Sequence, residues 1–224
     1  MSFKILSVTA TSTEAEVLGK IRSTQTIPGA VRNFEISVLV AGVGSISTAW
    51  EMQKWISANE KPDLAINFGI AGSYKKDIKI GDVVMPRSDC FADAGIEDGN
   101  NFLTLSEAGL VGDNEFPFTG GLILTDSVIA DRVSNIVKPV RAITVNTVTG
   151  TGASRDRLVK KYNPDIETME GATFFYICTR EKIPFLALRA ISNMVELRNK
   201  TKWDIALALK NLSEKLGEGI LTLK

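Results

Sequence analysis

The sequence predicts an α/β fold around a largely parallel sheet, organised as one domain over residues 1–224. Two observations carry this. Apolar, β-rich runs alternate with segments of helical spacing along the whole chain, the pattern of repeated strand–helix–strand units. No linker-like stretch or internal repeat divides the chain, and 224 residues is a length that a single core can serve.

The elements follow in order. Lys4-Ile5-Leu6-Ser7-Val8-Thr9-Ala10 reads as a buried strand, and Ser12 or Thr13 can cap a helix through about residue 21. Residues 35–41 form a second strand that ends in Gly42-Val43-Gly44. A helix over about 45–59 carries Ile46, Ala49, Trp50, Trp55 and Ile56 near helical spacing, and Pro62 ends it. Residues 64–70 make a third strand before Ala71-Gly72, and residues 82–85 a short one before Pro86. Residues 90–121 are polar and irregular, with Gly-Asn and Asp-Asn turn signals. A run this long implies a flap or short hairpin over a site rather than bare loop. Residues 142–149 are β-rich, and 154–162 helical until Asn163-Pro164. A strand over 165–169, a helix over 171–181 and a strand over 185–191 follow. The last helix starts near Trp203 or Asp204, with Ile205, Leu209, Leu212 and Leu216 on one face.

Composition excludes several functions. Lys plus Arg equals Asp plus Glu, at 26 each, so no basic excess exists to drive binding to nucleic acid or an anionic membrane. No apolar run approaches the roughly 18 residues that span a bilayer, and the first residues do not read as a signal peptide. The two cysteines, Cys90 and Cys178, are far apart and read as free thiols in a reducing cytoplasm. The chain has no histidine, which excludes Ser-His-Asp and Cys-His catalysis and every His-containing metal site. Acid–base chemistry near neutral pH falls to carboxylates first. No metal and no cofactor are expected.

Polar groups cluster where strands end. Glu14 stands in the first turn after the first strand, with Glu16 close by; Glu170 follows the strand over 165–169, and Asn193 follows that over 185–191. Each has a plain alternative: a solvated helix residue for Glu14, a helix-dipole carboxylate for Glu170, a turn former for Asn193. Gly42-Val43-Gly44 lacks the third glycine of a dinucleotide fingerprint, since Ser47 stands there, and reads first as a tight turn. Asn67-Phe68-Gly69-Ile70-Ala71-Gly72 is a second strand-end glycine turn. Turns and carboxylates gathered at one end of a parallel sheet would line a small-molecule crevice.

Taken together, Ala10-Thr11-Ser12-Thr13-Glu14, Ala41-Gly42-Val43-Gly44, Asn67-Phe68-Gly69-Ile70-Ala71-Gly72, Ile80-Gly81-Asp82-Val83-Val84, Thr168-Met169-Glu170-Gly171 and Arg189-Ala190-Ile191-Ser192-Asn193 resemble the purine nucleoside phosphorylase and nucleosidase superfamily, in that family's order. The resemblance implies one domain with a mixed, partly barrel-like sheet flanked by helices, and cleavage of a ribosyl N-glycosidic bond. Where hexameric phosphorylases place an arginine and a serine for phosphate, this chain has Asn67 and Ile70. An amide and an aliphatic side chain suit a phosphate dianion poorly, so water is the expected nucleophile. Adenine-specific nucleosidases carry an aspartate where this chain has Asn193; an amide can accept from N7–H and donate to a C6 carbonyl, which suits a 6-oxopurine such as hypoxanthine. The text from Glu167 to Ala172 and from Arg189 to Trp203 is most similar to the futalosine-hydrolysing branch, which implies release of hypoxanthine from futalosine in menaquinone biosynthesis.

The roles the resemblance implies are these. Glu14 activates water, with Glu16 as alternative; Glu170 holds the ribose and stabilises its developing charge; Asn193 holds the base. Ile70 and Met169 line the site, with Met169 against the sugar, and Thr151, Gly152, Ala153 and Ser154 line the base pocket. Arg198 and Trp203 could hold the aromatic carboxylate beyond the ribose 5′ carbon. The partner is a small nucleoside, and the assembly is expected to be a homodimer or larger, with a contact sought in residues 90–121. A methylthioadenosine or S-adenosylhomocysteine nucleosidase, a purine nucleoside phosphorylase and a catalytically silent nucleoside-binding module are the alternatives.

Overall fold

The computed structural model describes residues 2–24, 34–99, 101–125, 128–197 and 199–221. The first half is a regular alternation: β1 (Phe3–Thr9), α1 (Ser12–Thr24), β2 (Phe34–Val40), α2 (Ser45–Ala58), β3 (Leu64–Ser73) and β4 (Val83–Asp89). A hairpin of β5 (Gly95–Asp98) and β6 (Asn101–Thr104) follows, then β7 (Ile123–Leu124), α3 (Val128–Val133) and β8 (Lys138–Thr144). The chain ends with α4 (Gly152–Tyr162), β9 (Ile166–Thr168), α5 (Gly171–Arg180), β10 (Phe185–Met194) and α6 (Ile205–Leu221).

The main sheet runs β10-β4-β8-β9-β3-β1-β2, and β10 also pairs with β3. That extra pairing closes β3, β10, β4, β8 and β9 into a ring, with β1 and β2 as an open extension. The partly barrel-like sheet is therefore real. It is mixed: β1, β2, β3 and β10 run parallel, whereas β4 is antiparallel to β10 and β9 antiparallel to β3.

The crossing from extension to ring locates the site. β3 pairs with β1 through Val8↔Asn67 and with β9 from Gly72↔Glu167 onward. Between them Phe68, Gly69, Ile70 and Ala71 present a strand edge to neither β1 nor β9. Such a split is where an α/β sheet opens a crevice. The core below is apolar, with Ile5, Leu18, Phe68, Met85, Leu188 and Leu212 in one cluster and Leu6, Met52, Phe174, Phe175 and Phe185 in another.

Three expectations need correction. β4 continues through Pro86, because Pro86 sits at a register irregularity opposite β8, where a missing N–H is tolerated. The strand expected over 142–149 is β8, which begins earlier at Lys138 and ends at Thr144; its exposed first residues, including Pro139, hid its start. β7 and α3 were not anticipated, being only two and six residues long. The expected hairpin within residues 90–121 is formed by β5 and β6. On α6, Leu212 and Leu216 enter the core, while Ile205 and Leu209 face the cavity described next.

Candidate active site

A cavity of about 370 Å³ opens at the split in the sheet. Its wall includes Glu14, Ile70, Met169, Glu170, Asn193 and Trp203, drawn from four separate stretches of the sequence. Val43, Gly72 and Glu167 also line it, so both strand-end glycine turns reach the same space.

Glu14 is held by the exposed edge of β3. Its Oε1 accepts from Ile70 N–H at 3.0 Å, the backbone donor left free where β1 has ended. Its Oε2 accepts from Ala10 N–H (3.2 Å), Thr11 N–H (3.0 Å) and the Thr11 hydroxyl (3.0 Å). A carboxylate offers about four acceptor directions, two on each oxygen. Oε2 is filled, and Oε1 retains one direction for a water. Close approach requires Gly69, since a Cβ there would lie 2.5 Å from Oε1. Glu16 is exposed on α1 and does not line the cavity.

Glu170 is the N-cap residue of α5 but makes no side-chain cap bond. The helix start is served instead by Thr168 Oγ1, accepting from Gly171 N–H at 3.2 Å, and Thr144 Oγ1, accepting from Ala172 N–H at 2.7 Å. That frees the Glu170 carboxylate to accept from Gly44 N–H at 2.8 Å, across 126 positions of sequence. Gly44 has φ 89°, a conformation that favours glycine, and it aims this N–H at the carboxylate. The Gly42-Val43-Gly44 turn is thus both a tight turn and a ligand of Glu170. Burial raises the Glu170 pKa above the ordinary carboxylate value; the Gly44 N–H and the Arg189 charge oppose the shift, and Glu14 adds to it.

Arg189 is the cation behind the site. It is 2% exposed, and its guanidinium donates to the carbonyls of Asn67 and Leu188, each at 3.0 Å, and to Asn67 Oδ1. Asn67 in turn donates to the Val8 carbonyl at 2.9 Å. Asn67 therefore clamps an arginine rather than facing the cavity. Burial lowers the Arg189 pKa, while the Glu170, Glu14 and Asp89 carboxylates hold it up.

Asn193 owes its position to a bulge. The register of β10 on β3 shifts between Ile191 and Asn193, which sets Asn193 opposite Gly72. Its Oδ1 accepts from the Ser192 hydroxyl at 2.9 Å, and its Nδ2 donates to the Met194 carbonyl at 3.1 Å.

Thr151, Gly152, Ala153 and Ser154 do not line this cavity. Thr151 is the N-cap of α4, its hydroxyl accepting from Ser154 N–H at 3.2 Å, and a strong local cap explains these residues. Val148 and Glu167, which were not expected there, line the cavity instead. Arg198 lies outside the described residues. Sequence reasoning gave no role to Glu167, Arg189 or Gly44, although each lies in a segment that the resemblance rests on. Among the described residues no cluster of His, Cys, Asp and Glu could hold a metal, and no described helix is long and apolar enough to cross a membrane.

Known proteins resemble this chain in sequence and in fold. The chain is 30% identical over 187 residues to the futalosine hydrolase of Streptomyces coelicolor, covering 81% of this chain and 77% of that one. It is 30% identical over 228 residues to the futalosine hydrolase of Acidothermus cellulolyticus, covering 95% and 88%. The solved 5′-methylthioadenosine/S-adenosylhomocysteine nucleosidase of Helicobacter pylori shares the fold, with a TM-score of 0.82 at 18% identity and 99% coverage of each chain. The family model described as the phosphorylase superfamily matches residues 5–220, nearly the whole length, and the chain belongs to that superfamily.

Proposed function

We propose that this chain hydrolyses the N-ribosidic bond of a 6-oxopurine nucleoside, with futalosine as its substrate. The products are hypoxanthine and dehypoxanthine futalosine, an exchange that belongs to menaquinone biosynthesis. The observation that carries the reading is the convergence of Glu14, Glu170 and Asn193 on one cavity. The futalosine hydrolases among its relatives support the choice of substrate.

Bond cleavage builds positive charge on the ribosyl ring. Glu170, oriented by Gly44 N–H, accepts from the ribose hydroxyls and faces that charge. Met169 packs against the sugar. The base takes a proton from solvent at N7 as the C–N bond breaks, and Asn193 accepts a hydrogen bond from that N7–H and donates one to O6. Glu14 orients a water on the free direction of Oε1 and takes its proton as the new C–O bond forms. The leaving hypoxanthine keeps the electron pair of the broken C–N bond. Trp203, Ile205 and Leu209 give apolar walls for the aromatic 5′ substituent, and Arg198 is the proposed partner of its carboxylate.

Water is favoured over phosphate by charge. The described wall carries three carboxylates, Glu14, Glu167 and Glu170, and no Lys or Arg. The donors of Arg189 behind it are turned to Asn67 and Leu188. A phosphate dianion would meet repulsion rather than a cationic cradle. We also read the molecule as a cytoplasmic homo-oligomer. A run of exposed apolar residues, Val38, Val40, Val43, Ile46 (85% exposed) and Trp50 (68% exposed), borders the cavity through Val43 and suits a second copy.

Incubation with futalosine, inosine and methylthioadenosine, with and without phosphate, tests the reading. Release of hypoxanthine from futalosine without phosphate is expected. Release of adenine alone, an absolute need for phosphate, or no free base would overturn it.

A further inference from the structure

We propose that Asp89 is a positioning residue for Glu170, its buried carboxyl group setting the first turn of α5 and through it the carboxylate that faces the ribose. This rests on the hydrolytic reading above and adds a residue that acts on the site without lining the cavity. β4, β8 and β9 are neighbours in the ring, and their last residues are Asp89, Thr144 and Thr168. The three side chains meet beneath the start of α5. Asp89 is 0% exposed, and its Oδ1 accepts from Cys90 N–H at 2.8 Å and from the Thr144 hydroxyl at 3.0 Å. Thr144 Oγ1 in turn accepts from Ala172 N–H at 2.7 Å. Asp89 Oδ2 lies against Gly171, where a Cβ would stand 2.2 Å from it. One carboxyl group thus bears on both residues that follow Glu170.

The chain of bonds has a fixed sense. A threonine hydroxyl carries one proton and two lone pairs. With its proton committed to Asp89, Thr144 turns a lone pair to Ala172 N–H. The other hydroxyl in reach, Thr168 Oγ1, stands 3.3 Å from Thr144 Oγ1 and accepts from Gly171 N–H. Without an acceptor at position 89 the Thr144 hydroxyl is free to swing towards Thr168, and the hold on Ala172 loosens. Glu170 has little slack to absorb this, since its backbone begins α5 and its carboxylate is tied to Gly44 N–H at 2.8 Å. An acid at this depth needs a reason. Burial raises the Asp89 pKa to about 7, opposed by Thr144, Arg189 and Cys90 N–H, with Glu170 adding to the rise. The group keeps an acceptor oxygen in either protonation state. Its Oδ2 has no hydrogen-bond partner among the described residues, a costly arrangement for a buried polar atom. The hold on α5 accounts for its presence.

The test is a double-mutant cycle on the full chain. Asp89→Leu keeps the branched shape and removes the acceptor, whereas Asp89→Asn keeps an acceptor oxygen. In futalosine hydrolysis Asp89→Leu should lower kcat about 10–100-fold with KM little changed, and Asp89→Asn should stay within about threefold of the parent. On a Glu170→Gln background Asp89→Leu should cost less than about twofold more, because nothing is left for it to position. Equal losses on both backgrounds, or an Asp89→Asn protein as slow as Asp89→Leu, would overturn the proposal. Thr144→Val breaks the same chain one link later and should repeat both results, which keeps the test decisive if Asp89→Leu does not fold. A second readout needs no turnover: the Gly44 amide proton in NMR spectra of isotope-labelled protein. It should move in Asp89→Leu and Thr144→Val in the direction that Glu170→Gln moves it, and stay in place in Asp89→Asn. A Gly44 signal indifferent to Asp89→Leu and Thr144→Val, with hydrolysis by the parent intact, would remove this inference alone. Absence of hydrolysis with the signal shifts present would remove the hydrolytic reading alone.

Discussion

Gly69→Ala is a mutation of one methyl group that should disable the site while leaving the fold. The added Cβ would lie 2.5 Å from Glu14 Oε1 and 3.1 Å from its Cδ. An ordinary contact needs 3.4 Å or more, so the carboxylate must retreat by roughly 0.9 Å. The 3.0 Å bond from Ile70 N–H does not survive such a retreat, and the oxygen with its free acceptor direction leaves the position a water would use. The atom met is the tip of a side chain rather than backbone, so the structure yields there first. Overpacking of this kind costs about 1–3 kcal/mol of stability, whereas a displacement of about 1 Å in a reacting group costs about 10²-fold in rate. The assay is hypoxanthine release under saturating substrate, beside thermal unfolding of the same preparation. Gly19→Ala is the matched control: its Cβ meets nothing within 4 Å on the exposed face of α1, and Ala over Gly in a helix stabilises by about 0.8–1 kcal/mol. A Gly69→Ala protein with kcat within about threefold of the parent would refute the role given to Glu14 Oε1.

Glu170→Gln should lower kcat by about 10²–10³-fold with little change in KM, read from initial rates, because the lost charge acts mainly on the ribosyl cation. In the parent, activity should fall with acid at a pH above the ordinary carboxylate range, since burial raises the Glu170 pKa and its anion is the working form. Asn193→Asp should move kcat/KM for adenosine relative to inosine by tenfold or more towards adenosine, on the order of one hydrogen bond to a charged group. Asp89, raised to about 7 by burial, keeps a proton in the folded state that the unfolded chain has released near 3.8. Stability should therefore decline as pH rises from about 4 to 7, by on the order of 4 kcal/mol, and denaturant melts of Asp89→Asn should show that slope flattened.

The alternation of strands and helices was legible because each element announces its own period. Lys4 to Ala10 is a short β-rich run ending before the cap residues Ser12 and Thr13, and the face of α6 repeats at helical spacing. The end of α4 was legible for a local reason too: Asn163 takes a left-handed conformation, φ 42°, that Asn tolerates. What could not be read was pairing. The split edge of β3 depends on where β1 ends and β9 begins, which brings Val8 and Glu167, 159 positions apart, to the same strand. The bulge that sets Asn193 opposite Gly72 is a register shift with no mark in the letters Ser192-Asn193. Thr151 to Ser154 misled because a strong local signal, a capped helix, explains them without any ligand.

The residues that sequence reasoning passed over share one property: their partners lie on other strands. Gly44 looks like a turn glycine until its N–H meets Glu170. Arg189 looks like an odd charge in a core strand until Asn67 takes its guanidinium. A bare arginine at that depth would be untenable. Glu170 and Glu14 supply opposing charge, joined by Asp89 once it ionises above about pH 7, and three neutral acceptors fix its geometry. Two of those carboxylates also line the cavity. The guanidinium thus lets Glu14 and Glu170 share a small space at lower electrostatic cost, while its donors remain turned away from the ligand. Among the described residues, a wall so arranged presents carboxylates and no Lys or Arg to the sugar. That is the charge pattern a ribosyl cation attacked by water requires.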